Sequence, residues 1–180
     1  MPKQSAGLLL YRGRSQSTQV FLVHPGGPFY ARKDDGAWSI PKGEFDEDED
    51  GLTAAKREFK EETGQEVSGE FIALAPIKQA SRKIVHAWAV EAEVDAAGIK
   101  SNTFTLEWPP KSGKIQEFPE VDRAGWFTLG EAMVKILKGQ RGFIDQLGEK
   151  LGVALPNEEP VNPSRQTLSE NDKGQQSLFT

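Results

Sequence analysis

The 180-residue chain contains no cysteine, and histidine, tyrosine and methionine occur only twice each. Without thiols there can be no disulfide and no thiol nucleophile, a composition that fits a cytoplasmic protein. Two histidines leave little from which to build a zinc site. Positive charge is also short: 22 Lys and Arg stand against 27 Asp and Glu, giving a net charge of -5. That balance argues against nucleic acid as the main partner and against a membrane surface. No apolar run is long enough to span a bilayer, and the opening MPKQSAG lacks the pattern of a signal peptide. Internal repeats are absent too. What remains, 37% hydrophobic and 27% charged, is ordinary for a soluble globular protein, and the length suits one domain with a proper core.

Within that plain background one stretch stands out, GEFDEDEDGLTAAKREFKEETG from Gly43 to Gly64. It reads as an acidic loop followed by a helix. Leu52, Ala55 and Phe59 recur at helical spacing and predict an inward stripe. Glu58, Glu61 and Glu62 fall at i, i+3 and i+4, which places them together on a different face, within roughly 100° of arc. Like charges so spaced repel by a few tenths of a kcal/mol per exposed pair, and bound cations would reverse the sign. Hard divalent ions want oxygen ligands, and Mg²⁺ takes a few carboxylates together with substrate phosphates and water. Arg57 to Glu61 is an i,i+4 ion pair, and Gly64 is a helix stop. Asp46, Glu47, Asp48 and Asp50 read as solvated.

The spacing of Gly43, Glu49, Arg57, Glu58, Phe59, Glu61, Glu62 and Gly64 resembles the Nudix box: Gly, five residues, Glu, seven residues, Arg-Glu-apolar-any-Glu-Glu-any-Gly-apolar. The last apolar position departs from the pattern, since Gln65 stands there, with Val67 the next aliphatic residue. A merely solvated charge-rich helix would need neither the two glycines nor the arginine before the first Glu.

Elsewhere the chain reads as strands, loops and two further helices. Ala6 to Tyr11 has the continuous apolar pattern of a buried strand, and Val20 to Val23 that of a second. His24 to Gly36 is a Gly- and Pro-rich loop carrying Phe29, Tyr30, Arg32 and Lys33. It is either a flap that stacks a base and attracts phosphate, or a surface loop with one anchored aromatic. Trp38 reads as structural, and Lys42 as a residue able to meet a phosphate. Phe71 to Ala75 is expected to be a strand, as is Lys83 to Val94. In the latter, alternation puts Ile84, His86, Trp88 and Val90 on one face and Val85, Ala87 and Ala89 on the other. His86 reads as a satisfied core residue, and with Trp88 it is also a candidate pocket lining. Thr103 to Trp108 and Ala124 to Phe127 are further strands. Between them lies a loop in which Lys111 and Lys114 can clamp distal phosphates or simply be solvated. Gly130 to Leu137 and Gly142 to Leu151 are expected helices. Pro156 to Thr180, polar and without periodicity, reads as a tail that is disordered or orders on a partner.

This order of elements is similar to the Nudix fold, an α/β (α+β) architecture with a mixed sheet sandwiched between helices. The resemblance implies a Nudix hydrolase domain over residues 1–153, with a flexible tail over 154–180, either monomeric or homodimeric. It also implies hydrolysis of a phosphoanhydride in a nucleoside diphosphate linked to another moiety, with Mg²⁺ or Mn²⁺. By the same resemblance Glu58 and Glu62 are metal ligands, and Glu61 is a third ligand or holds the attacking water. The Gly43 carbonyl is a further metal donor. Arg57 and Glu49 brace the loop and helix. Family members often recruit a general base from outside the box, for which Glu120 is the candidate and Glu117 its rival. Lys42, Tyr30, Trp88 and Lys111 are the candidate substrate contacts, with Phe29 and Trp108 as further rings. The openings SAGLLLYR and WSIPKG and the segment PEVDRAGWF look most like the diadenosine tetraphosphate hydrolase branch and related bacterial nucleotide pyrophosphohydrolases. Cleansing of nucleoside triphosphates and hydrolysis of nucleotide sugars or capped RNA ends are the alternatives within the enzyme class. A non-catalytic, nucleotide-sensing module is the alternative outside it.

Overall fold

The apolar run near the N-terminus forms β1 (Gln4–Arg12), the strand about which the sheet is assembled in the computed structural model, which describes residues 1–156. Along one edge β1 pairs in parallel with β6 (Ile84–Glu91), from Gln4 opposite Ile84 to Tyr11 opposite Glu91. Its other edge is divided between two antiparallel partners. The end of β1 takes β2 (Gln19–Pro25), and its start takes β3 (Lys42–Phe45). On the far side of β2 lies β9 (Val121–Thr128), antiparallel, with a register shift at His24 and Pro25. The short strands β4 (Ile72–Ala73) and β5 (Ile77–Lys78) add to β6. A separate hairpin is made by β7 (Thr103–Glu107) and β8 (Ile115–Pro119).

Alternation of side chains along β1 and β2 sends each strand's residues to opposite faces, and a helical layer covers each face. Leu8, Leu10, Phe21 and Val23 pack with Ala54, Ala55 and Phe59 of α1 (Gly51–Thr63). Leu9, Tyr11, Val20 and Leu22 pack with Leu129, Ala132, Phe143, Ile144 and Leu147, which belong to α2 (Leu129–Lys135) and α3 (Arg141–Leu151). The mixed sheet between helices is therefore as the sequence implies. Strand β6 alternates as expected, with Val85, Ala87 and Ala89 against α2 and α3 and Trp88 and Val90 on the α1 side.

Several boundaries differ. The strand expected over Phe71 to Ala75 is only Ile72–Ala73, and a second short strand, Ile77–Lys78, follows Pro76, which has no N–H to give to a ladder. The strand expected to run from Lys83 to Val94 stops at Glu91. Strands β3 and β8 fall in stretches read as loop, and β9 is longer than expected at both ends. On α1, Glu58 does not stand on a separate solvated face. It is buried beside Ala54, Ala55 and Phe59, at the edge of the inward stripe. Apart from residues 154–156, the tail expected over 154–180 lies outside the described residues. Among the described residues no helix is long and apolar enough to cross a membrane.

Candidate active site

Helix α1 is fixed at both ends by local chemistry. At its start the Asp50 carboxylate accepts hydrogen bonds from the Thr53 amide and hydroxyl, each at 2.9 Å. At its end Gly64 takes a left-handed conformation, φ 73°, and its amide donates to the Lys60 carbonyl. This fixes which carboxylates face β3. Gly43, on that strand, lies against the Glu58 carboxylate so closely that any Cβ there would overlap it. The Lys42 amide donates to Glu62 Oε2 at 3.1 Å.

Arg57 organises the acidic side of the site. Its guanidinium grips Glu49 with two bonds of 3.0 and 3.1 Å and donates to Glu58 at 2.6 Å and Glu61 at 3.3 Å. Those partners, Glu49 above all, raise the arginine's affinity for its proton, so the charge is permanent. The box arginine thus ties the acidic loop to two helix carboxylates.

Burial acts on the carboxylates in the opposite direction. It pushes Glu62 up to about 8, with the Lys42 amide and ammonium opposing the rise. Glu58 is also raised by burial, against the pull of Arg57 and with the help of Glu61 and Glu120. Glu120 is raised by burial and then by the charge of Glu61. Lys42 is lowered, first by burial and then by the neighbouring Lys83. Anionic groups from α1 and from the start of β9 therefore feel one another across a small, poorly hydrated space.

The cleft beside them has a volume of about 200 Å³ and is lined by Tyr30, Lys42, Glu62 and Glu120, over a floor that includes Val23 and Ile40. Four of the residues singled out from the sequence thus meet in one place. Trp88 does not line this cleft. Its ring lies against Gly51 at the start of α1, with the apolar cluster beneath that helix. Lys111 is exposed at the tip of the β7–β8 hairpin, in a left-handed conformation with φ 62°. Phe29 is exposed and meets Trp108 edge-on at 5.4 Å. His86 bonds Gln4 at 2.8 Å and packs against Phe45, a satisfied side chain as expected.

Two residues at this site carried no usable signal in the sequence. Gln140 is buried and its side-chain oxygen accepts from the Ile40 amide at 3.1 Å, which holds the strand leading into Lys42. His24 is buried between two segments that each adjoin the cleft.

No three acidic or histidine side chains among the described residues converge on a single point as a ready-made metal cage. Arg57 draws Glu58 and Glu61 together, Glu62 faces Lys42, and Gly43 lies against Glu58; with the Gly43 carbonyl, these carboxylates are the oxygens that would make up an open half-shell. Such a set fits a hard divalent ion that keeps water and takes its remaining ligands from substrate phosphate. Buried carboxylates that resist ionisation fit it as well, because a cation stabilises their charged form.

The sheet, the box helix and the acidic half-shell define the class, that of the Nudix pyrophosphohydrolases. The family model described as NUDIX domain matches residues 1–147, and the chain belongs to that family. Similar folds are known. The NUDIX domain of Shewanella oneidensis NrtR, solved in complex with ADP ribose, is 19% identical with a TM-score of 0.59, over 84% of this chain and 89% of that one. A Caenorhabditis elegans Ap4A hydrolase in a binary complex is 21% identical with a TM-score of 0.56, over 82% and 98%. A mutT/nudix family protein from Listeria innocua is 16% identical with a TM-score of 0.58, over 84% and 96%. No protein with a curated description matches.

Proposed function

We propose that this enzyme hydrolyses a phosphoanhydride in a nucleoside diphosphate linked to another moiety, with dinucleoside polyphosphates such as diadenosine tetraphosphate as the preferred class. The reading rests on one observation, the cleft lined by an exposed ring, Tyr30, and a half-buried lysine, Lys42, together with the carboxylates Glu62 and Glu120. Tyr30 would stack on a base, and Lys42 would meet a phosphate as a point charge. A cleft this small takes one end of the substrate, leaving the second moiety outside, which suits a nucleotide with a large group at its far end. The Ap4A hydrolase and the ADP-ribose complex among the similar folds lend support, since Ap4A and ADP ribose each carry an adenosine joined through phosphates to a second sugar-containing end.

Glu58, Glu61, Glu62 and the Gly43 carbonyl would hold Mg²⁺ or Mn²⁺. When bound, the ion neutralises the polyphosphate and polarises the phosphorus under attack. Glu61 orients the attacking water and Glu120 accepts its proton, a role suited to a carboxylate whose proton affinity burial has raised. Arg57 keeps Glu58 and Glu61 in place without touching substrate. The cysteine-free chain suits work in the cytoplasm.

The test is product analysis with Mg²⁺ and a panel of diadenosine polyphosphates, nucleoside triphosphates and nucleotide sugars, with Glu62→Gln beside the wild type. Asymmetric cleavage of the dinucleotides by the wild type alone is the expected result. Faster turnover of another panel member would keep the mechanism and replace the substrate. Metal-independent nucleotide binding without turnover would overturn the reading.

A further inference from the structure

His24 ends the regular part of β2 and is wholly buried, yet it is an ionisable residue with no role in the chemistry just described. Its ring stands edge-on to Trp38 at 5.2 Å. Nδ1 lies 2.8 Å from Asp122 Oδ1, and Nε2 lies 2.6 Å from the Lys33 carbonyl oxygen. Each ring nitrogen thus faces an oxygen of a different segment, and the imidazole bridges the two. The charged groups around it are few. Besides Asp122 there is Arg123, 3.9 Å from that carboxylate and stacked over the Trp38 ring, and Lys33 itself.

The two acceptors lie on separate segments, each next to residues that line the cleft: Asp122 follows Glu120 and Val121, and Lys33 follows Tyr30 by three residues. Asp122 is two residues beyond Glu120, and it is the residue skipped where the β2–β9 register shifts from His24–Arg123 to Pro25–Val121. A bulge of that kind re-aims a side chain, and here the one re-aimed meets His24. Lys33 closes the turn that presents Tyr30, its amide donating to the Tyr30 carbonyl at 3.0 Å. The Glu120 wall is anchored independently, since the Glu120 carbonyl accepts from Gly26 at 2.9 Å and its amide donates to Asn102 at 2.8 Å.

We propose that His24 is a positioning residue, a buried clasp that holds the Tyr30 turn at a fixed distance from the Glu120 wall and so sets the width of the nucleotide cleft. The assignment of the cleft to substrate rests on the function proposed above, whereas the clasp itself does not.

Two variants test it. His24→Phe keeps a ring against Trp38 and removes both ring nitrogens, and Asp122→Ala removes the acceptor altogether at a half-exposed position that tolerates change. Hydrogen–deuterium exchange over residues 27–36 reads the clasp without substrate. Both variants should exchange about tenfold faster there, because the bridge no longer opposes local opening of the turn. On the best-turned-over nucleotide of the panel, KM should rise about tenfold with kcat within about threefold, the mark of lost binding rather than lost chemistry. Adding Tyr30→Ala to either variant should raise KM no further, because both changes remove the same contact. Unchanged exchange in both variants overturns the clasp, and additive KM effects overturn its action through Tyr30. If His24→Phe fails to fold, Asp122→Ala decides by the same readouts. If nothing on the panel turns over, the proposed function fails, while faster exchange confined to residues 27–36 still supports the clasp.

Discussion

At the scale of single residues, the site couples groups that want opposite things. Glu62 is pushed up to about 8 by burial, so its charge is costly until a cation arrives. Glu62→Gln removes that cost but keeps an oxygen for the Lys42 amide, which now donates to the carboxylate. The variant should therefore fold as well as the wild type and, without metal at pH 8, melt a few degrees higher. Turnover with Mg²⁺ should drop by about a hundredfold or more, as for other groups that stabilise only the transition state. Near-full turnover would remove Glu62 from the metal site. Arg57 gives a complementary case. Its fork reaches Glu49, Glu58 and Glu61 at once, and a lysine has no fork. Arg57→Lys should cost about tenfold to a hundredfold in kcat with little change in KM, because the displaced groups act on chemistry and not on the base. A change in KM alone would place Arg57 in contact with substrate instead.

At the scale of elements, the same helix separates stability from function. Asp50 caps α1 through two bonds to Thr53, so Asp50→Ala should lower the denaturant midpoint measurably and keep most of its turnover. Gly43→Ala should do the reverse. The new methyl must displace the Glu58 carboxylate, which abolishes the half-shell, while β3 remains paired to β1. Turnover should fall by about two orders of magnitude at nearly unchanged Tm. This helix was legible in the sequence because its stripe, its carboxylate spacing and the Gly64 stop are local, whereas Asp50, read as solvated, is its N-cap. Its Glu58 was misplaced because period alone does not say how wide the buried stripe is, and β3 packs close enough to cover one more residue. Strand β8 had no pattern to read, since only Phe118 in it is even partly buried. The pairing of β7 with β8 comes from the partner, not from alternation. The cleft was legible only as separate fragments. Tyr30 and Glu120 lie far apart in sequence and meet because β2 pairs with β9, and no local feature announces that. His24 was hidden for the same reason, both its acceptors being supplied by tertiary structure.

At the scale of the whole molecule, concentrating buried acids at one site makes stability depend on both pH and metal. Take Glu62, with a folded value of about 8 against 4.5 for the ordinary group. Between those values the folded state holds a proton that the unfolded state has released, so stability falls as pH rises. The contribution is fully present below about pH 4.5 and is lost by the time pH has passed 8. Glu58 and Glu120, both raised by burial, act in the same direction. The lowered carboxylates oppose this only at more acidic pH, because Glu49 and Asp50 are held below the ordinary value by Arg57 and Thr53. In EDTA the Tm should therefore decline from pH 5.5 to pH 8. On the proposed function, a divalent ion would bind the ionised carboxylates gathered in the folded state and not the dispersed acids of the unfolded chain. Millimolar Mg²⁺ should thus raise the Tm more at pH 8 than at pH 6, flattening the decline, and Glu62→Gln should flatten it without metal. Thermal melts at four pH values, with and without Mg²⁺, check all three expectations. A metal-free profile that rises toward pH 8 would mean that ion pairing by Arg57 outweighs burial. The acidic half-shell would then be held together by its arginine alone, with no need of a cation to stabilise the fold.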